Sequence, residues 1–152
     1  MTRETVIAQA ASFFDDGRFK EVLERRVAFR TESQDAASLP LLYAYLTDEI
    51  VPQLQALGFA CQVVDNPIAG KSPFLLAERR EPGAAFTVLT YGHGDVVRGY
   101  DAQWREGLAP WKIVVEGNRW YGRGTADNKG QHTINLTALE QVLKARRGVL
   151  GY

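Results

Sequence analysis

The chain of 152 residues has one cysteine, Cys61, and no excess of either charge. A single thiol excludes an internal disulfide framework and a zinc site built from several thiolates. Lys and Arg total 18 and Asp and Glu total 18, so the basic surplus of a nucleic-acid-binding protein is absent. No apolar run approaches the ~20 residues of a membrane span, and the first residues lack a signal-peptide core. We therefore expect a cytoplasmic protein without nucleic-acid or membrane partners.

The first third of the chain has the apolar spacing of helices. Apolar residues recur every three or four positions over residues 7–14 and again over residues 19–27. A longer helix is predicted to begin at an N-cap on Ser38 and to end at Gly58. Pro52 lies inside this helix and is predicted to kink it, because proline removes one backbone hydrogen bond.

The middle of the chain changes to the pattern of strands. Apolar runs at residues 59–64, 74–78 and 86–91 are bounded by turn-forming residues, and the least polar run, 86–91, is predicted to be central. A hairpin is predicted over residues 113–121, followed by a well-buried helix over 127–147. The apolar stripe of that helix is predicted to be Ile134, Ala138, Val142 and Ala145, with Leu136, Leu139 and Leu143 beside it. This order predicts an α/β fold with a layered mixed sheet flanked by helices.

His93 and Asp95 form the first candidate site, at the end of the run predicted to be the central strand. Residues i and i+2 of an extended chain face the same side, so the carboxylate of Asp95 can orient the imidazole of His93. The other ring nitrogen is then left for a metal or a proton. Taken alone, a His-x-Asp triplet is more often a surface histidine beside an aspartate in a turn.

Asp127 is the second candidate, between a predicted strand and the last predicted helix. Taken alone, it is best explained as a helix N-cap. The segment Tyr121–Gly130 also invites a nucleotide-binding interpretation, but it lacks the third glycine of a dinucleotide fingerprint. Its Lys129 precedes Gly130 and Gln131 follows, so the order of a phosphate-binding loop is absent as well.

The two segments together resemble the metallopeptidase family M20. Gly92–Val97 reads Gly-His-Gly-Asp-Val-Val and is similar to the first family signature, Gly-His-x-Asp-x-Val. Tyr121–Gly130 is similar to the second, Tyr-Gly-Arg-Gly-x-x-Asp-x-Lys-Gly, and Phe29–Ser33 resembles a family segment near the N-terminus. The resemblance implies that residues 1–152 are the N-terminal part of a zinc-peptidase-like catalytic domain. The rest of that domain and a dimerisation domain are expected beyond Tyr152.

The resemblance also implies roles for single residues. His93 would bind one of two zinc ions, and Asp127 would bridge both. Asp95 would be the catalytic-site carboxylate that holds the His93 ring. The peptide bond after Asp127 would be cis. Cobalt or manganese remains open as the native metal, because imidazole and carboxylate ligands accept all three.

Other polar residues near the two motifs are predicted to have structural roles. His132 is predicted to be a packing or helix-surface histidine rather than a metal ligand. Arg123 and Lys129 are predicted to brace the loop around Asp127, and Cys61 to be a buried strand residue.

The reaction that the resemblance implies is hydrolysis of an amide bond in a small peptide or an N-acyl amino acid. The full-length protein would be a homodimer in this interpretation. The general-base glutamate would lie beyond Tyr152, so the 152 residues alone are expected to be inactive. Two alternatives are a non-catalytic binding module that retains the fold and a nucleotide-binding α/β domain.

Overall fold

The computed structural model describes residues 2–152 as helices interspersed with short strands. The α-helices are α1 (Arg3–Asp15), α2 (Arg18–Ala28), α3 (Leu39–Ala44), α4 (Val51–Ala56) and α5 (Lys129–Ala145). The strands are β1 (Ala60–Val64), β2 (Phe74–Glu78), β3 (Val114–Glu116) and β4 (Arg119–Tyr121). Short 3-10 turns cover Ala36–Ser38 and Asp101–Gln103, and a π-helical turn covers Tyr45–Ile50. No helix in the described part of the chain is long and apolar enough to cross a membrane.

The two helices predicted in the first third are confirmed as α1 and α2. Their apolar faces meet the hairpin of β3 and β4 in a core cluster, against which Trp120 packs. The buried members of this cluster are Phe13, Phe19, Leu23, Val27 and Ile113. The predicted spacing marks the buried face of α2, but not that of α1, where Ile7 and Phe14 are 57% and 51% exposed and Phe13 is buried instead. Burial of such side chains stabilises the fold by about 1.5–3 kcal/mol each.

The long helix predicted from Ser38 is divided into α3, the π-helical turn and α4. Ser38 occupies the N-cap position of α3, as predicted, but its side chain makes no cap hydrogen bond. Asp35 caps the preceding 3-10 turn instead, accepting a hydrogen bond from the backbone N–H of Ala37 at 3.0 Å. The π-helical turn ends two residues before Pro52, whose ring has no N–H to donate to the preceding turn. The predicted interruption at Pro52 thus takes the form of a local widening of the helix.

The strands form two separate antiparallel pairs. Ala60 of β1 lies opposite Glu78 of β2, and Val114 of β3 lies opposite Tyr121 of β4. Gly117 lies in the turn of the second pair with a φ of 60°, a conformation that glycine adopts readily. The strand predictions for both pairs are confirmed.

The predicted central strand over residues 86–91 is wrong for the described structure. Leu89 is 94% exposed and Tyr91 81% exposed, and this segment is assigned to no strand. A strand needs a neighbour to receive its backbone hydrogen bonds, and within residues 2–152 no strand pairs with this segment. The α/β composition is confirmed, but the described residues contain two small antiparallel sheets rather than one layered mixed sheet.

An exposed apolar segment with an unpaired backbone favours association between chains. We expect the purified 152-residue chain to associate as its concentration rises, and Leu89→Lys to shift it towards monomer. Sedimentation velocity over a hundredfold range of concentration measures this shift. Ile68→Lys is the control, because Ile68 is 64% exposed but lies outside the segment. Equal association of both variants and the unmodified chain would contradict the prediction.

The buried face of α5 agrees with the prediction only in part, because Leu143 is buried but the stripe through Ile134 is not. Ile134 is 56% exposed and Ala138 is exposed, whereas Thr133 and Thr137 are buried. The reason lies in α2, where the buried guanidinium of Arg26 donates a hydrogen bond to the hydroxyl of Thr133 at 2.6 Å. A polar partner on α2 therefore selects the polar side of α5 for burial.

Candidate metal centre

His93 and Asp95 lie side by side, as their i, i+2 spacing predicts. The Nδ1 atom of His93 is 3.1 Å from Oδ1 of Asp95 and 3.2 Å from the backbone carbonyl oxygen of the same residue. Both oxygens are acceptors, so Nδ1 carries the proton and donates it to them. The lone pair of Nε2 is then free and points away from Asp95.

Asp127 faces that free nitrogen from the other motif. Its Oδ1 lies 3.1 Å from Nε2 of His93, and its side chain is 83% exposed. Asp127 ends the loop between β4 and α5, and the peptide bond to Asn128 is cis, as the family resemblance implied. The structure thus brings His93, Asp95 and Asp127 together from segments more than thirty residues apart.

The contact between His93 and Asp127 joins two lone pairs and is unfavourable without a positive charge between them. A proton or a metal cation can supply that charge. Two ligand atoms of a tetrahedral zinc ion lie about 3.4 Å apart, given zinc–ligand bonds near 2.1 Å. The observed 3.1 Å is close to this separation. Imidazole and carboxylate also suit zinc chemically, so these residues fit a metal.

The described residues supply only part of a metal site. Within residues 2–152, no group of three or more His, Cys, Asp and Glu side chains is arranged to hold a metal ion. His93 and Asp127 offer two ligand atoms, and Asp95 is engaged with the other ring nitrogen. A catalytic zinc ion normally has three protein ligands.

The segment that carries His93 is held by the residues that follow α2. The backbone N–H of Val96 donates to the carbonyl of Thr31 at 2.8 Å, and Ser33 donates back to the carbonyl of Val96 at 3.1 Å. The hydroxyl of the buried Thr31 also donates to the carbonyl of Gly94 at 2.6 Å. The segment 29–33, which resembles a family segment, therefore fixes the backbone between His93 and Val96.

Lys129 anchors the beginning of α5, two residues after Asp127. Its side chain is fully buried, and Nζ donates to the carbonyls of Arg26 at 2.8 Å and Phe29 at 2.7 Å. These carbonyls lie at the C-terminal end of α2, where unpaired backbone oxygens favour a cation. Burial lowers the pKa of Lys129 to about 7. The predicted bracing role of this lysine agrees with its contacts.

The loop before Asp127 is closely packed on the start of α5. A Cβ atom on Gly130 would lie 1.9 Å from the backbone oxygen of Thr125, so only glycine fits there. The guanidinium of Arg123 lies over the ring of Trp104 at 5.6 Å and donates to the carbonyl of Gly99 at 3.3 Å. Arg123 therefore ties the loop to the chain that follows the His93 motif.

Sequence reasoning missed two residues of this region, Asn128 and Tyr45. Asn128 accepts a hydrogen bond from the backbone N–H of His93 through Oδ1, at 3.1 Å. Tyr45 is 2% exposed, and its hydroxyl lies 2.6 Å from Nε2 of His132. The position of Asn128 beside Asp127 was a usable signal, but nothing in the sequence set Tyr45 apart from other core residues. His132 is buried, as the packing interpretation predicted.

Comparison with known proteins agrees with the motifs. Residues 89–150 match the model of peptidase family M20/M25/M40. The succinyl-diaminopimelate desuccinylase of Alkalilimnicola ehrlichii is 41% identical over 95 residues, which are 62% of this chain and 24% of that protein. The acetylornithine deacetylase of Salmonella paratyphi B is 31% identical over 125 residues, which are 82% of this chain and 31% of that protein.

The fold is also similar to that of a solved structure. Human carnosine dipeptidase 1 superimposes with a TM-score of 0.83 at 26% sequence identity, over 97% of this chain and 32% of that one. The chain therefore spans about a quarter to a third of the length of the relatives that it matches. The matched portion contains the His93 and Asp127 motifs.

Proposed function

We propose that this chain, which belongs to peptidase family M20/M25/M40 through residues 89–150, is part of a metal-dependent amide hydrolase. The observation that carries the proposal is the 3.1 Å approach of His93 Nε2 to Asp127 Oδ1. Because Asp95 holds the proton of His93 on Nδ1, a cation between the two facing atoms relieves the lone-pair repulsion. The names of the relatives support small peptides and N-acyl amino acids as the substrate class.

His93, Asp127 and Asp95 would have different roles in the metal site. His93 would bind it through Nε2, and Asp127 through its carboxylate, which can bridge a second ion. Asp95 would not touch the metal but would fix the tautomer and the orientation of the His93 ring. A bound zinc ion supplies Lewis acidity towards an amide carbonyl and lowers the pKa of a bound water. Cobalt and manganese suit the same ligands.

The remaining components of the active site belong to the proposal as well. A general base and at least one further ligand for each metal would come from outside the described residues. The exposed carboxylate of Asp127 leaves room for such groups, because 83% of its side chain is accessible. A homodimeric whole protein is part of the same proposal, by analogy with the family.

The test uses the product of the complete gene. We expect hydrolysis of one or more substrates in a panel of dipeptides and N-acetyl amino acids, loss of activity after chelation, and recovery with zinc, cobalt or manganese. Asp127→Asn should reduce kcat/KM at least a hundredfold, because a bridging carboxylate is replaced by a neutral amide. Asp15→Asn is the matched control, since Asp15 is exposed at the end of α1.

Two outcomes would contradict the proposal. Hydrolysis that is insensitive to chelation and to Asp127→Asn would place the chemistry elsewhere. Metal binding without any hydrolysis across the panel would favour the non-catalytic binding module. A nucleotide-binding domain predicts thermal stabilisation by a nucleotide and none by a metal, so the same preparation separates this alternative.

A further inference from the structure

A chain of hydrogen bonds connects the buried interior with the backbone of His93. The hydroxyl of Tyr45 lies 2.6 Å from Nε2 of His132, and Nδ1 of His132 lies 3.4 Å from Oδ1 of Asn128. The same Oδ1 accepts the backbone N–H of His93 at 3.1 Å. Three side chains thus link the π-helical turn, the first turns of α5 and the segment that carries His93.

The direction of each hydrogen bond follows from the partners. Because Asn128 Oδ1 is an acceptor, His132 must donate to it through Nδ1–H. Burial, followed by the positive charge of Arg26, lowers the pKa of His132 to about 3, so the ring is neutral and carries a single proton. Nε2 therefore accepts the hydroxyl proton of Tyr45, whose own pKa is raised by burial. The chain has one consistent arrangement of protons.

The glycines on either side of His93 bring its backbone onto this chain. A Cβ atom on Gly92 would lie 2.8 Å from Cβ of His132, and one on Gly94 would lie 2.1 Å from the ring of Tyr45. The backbone on either side of His93 thus lies directly against the side chains of His132 and Tyr45. This close approach is independent of the hydrogen bonds and indicates the same role for the two side chains.

We propose that His132 is a positioning residue for the candidate metal centre and acts through the side-chain amide of Asn128. By donating to Asn128 Oδ1, His132 fixes the atom that receives the N–H of His93. Asn128 is also peptide-bonded to Asp127. Its side-chain amide therefore helps to position both candidate ligands, His93 and Asp127. The proposal rests on the proposed function for those ligand roles, although the hydrogen-bond chain itself can be tested without metal or substrate.

Two substitutions of His132 separate positioning from simple packing. His132→Asn places an amide N–H near the position of Nδ1 and can still donate to Asn128. His132→Gln extends its amide towards the position of Nε2 and leaves Asn128 without the ring donor. Amide hydrogen exchange in the purified, metal-free 152-residue chain is the measurement. We expect exchange at the His93 N–H to accelerate about three- to tenfold in His132→Gln and to stay near the unmodified rate in His132→Asn.

The backbone amide of Leu23 in the core of α2 serves as the internal reference for global opening. Equal acceleration at His93 and Leu23, or equal behaviour of the two His132 variants, would overturn the proposal. Tyr45→Phe removes only the hydroxyl and should also accelerate exchange at His93, so an unchanged rate there would overturn it too. Failure of the proposed function would appear separately, as hydrolysis indifferent to Asp127→Asn.

Discussion

Replacing Arg26 with alanine is expected to lower the free energy of unfolding by about 3–5 kcal/mol. The guanidinium of Arg26 is fully buried and donates to three side chains. Its acceptors are Oε1 of Glu49 at 3.2 Å, Oε1 of Gln53 at 2.5 Å and the hydroxyl of Thr133 at 2.6 Å. Removing the guanidinium leaves Glu49, Gln53 and Thr133 without their donor. These unsatisfied acceptors account for most of the expected loss of stability.

Arg25→Ala is a matched control for this prediction. Arg25 is the next residue along α2 and contacts the same carboxylate, with Nε 3.5 Å from Oε2 of Glu49. Its side chain is 59% exposed, so water screens the interaction and the expected change is about 0–1 kcal/mol. Urea unfolding followed by circular dichroism measures both variants. Similar urea midpoints for Arg25→Ala and Arg26→Ala would show that the buried Arg26 network contributes little to the free energy of unfolding.

The local sequence pattern was sufficient to predict the helices and the hairpin that are defined by short-range spacing of residues. The spacing of apolar residues marked α1 and α2, and the turn at Gly117 marked the hairpin. In each case the information lies within about fifteen residues. Tertiary packing agrees with it for α2 and the hairpin, whereas Ile7 and Phe14 of the α1 pattern are exposed. The same is true of the His93–Asp95 contact, because an i, i+2 relation is fixed by the extended chain.

Elements that depend on distant partners could not be predicted in this way. The run 86–91 has the composition of a central strand, but composition supplies no neighbour for its backbone. The first turns of α5 bury polar side chains because Arg26 of α2 lies against Thr133, a pairing across 107 residues that no local period encodes. The apolar stripe through Ile134 was therefore assigned to the wrong side.

The same difference between local and long-range information applies to the candidate site. The resemblance to the family indicated Asp127, whereas its distance from His93 required the structure. Asn128 and Tyr45 are connected to His93 only through contacts between separate elements, so only the position of Asn128 beside Asp127 gave a signal in the sequence. The roles of His93, Asp95 and Asp127 as metal-site residues stay predictions, and their arrangement is what the experiments above test.

A preparation that holds only these 152 residues is expected to be hydrolytically inactive, even with added zinc, cobalt or manganese. Among residues 2–152, the carboxylates that lie 3.1 Å from the ring nitrogens of His93 are those of Asp95 and Asp127. Asp95 orients the ring and Asp127 faces the metal position, so the described residues place no third carboxylate at the ring to take a proton from water. Loss of a general base alone costs about 100- to 10,000-fold in rate.

Incomplete ligation adds to that loss. Two candidate ligand atoms, His93 Nε2 and Asp127 Oδ1, are fewer than the three protein ligands of a typical catalytic zinc, so metal binding is expected to be weak. Hydrolysis of dipeptides and N-acetyl amino acids by the purified chain, compared with its His93→Ala variant, measures the residual rate. We expect both to equal the rate with buffer and metal alone. Turnover that disappears in His93→Ala would instead show that these residues contain their own base and remaining ligands, and would refute the partial-site assignment.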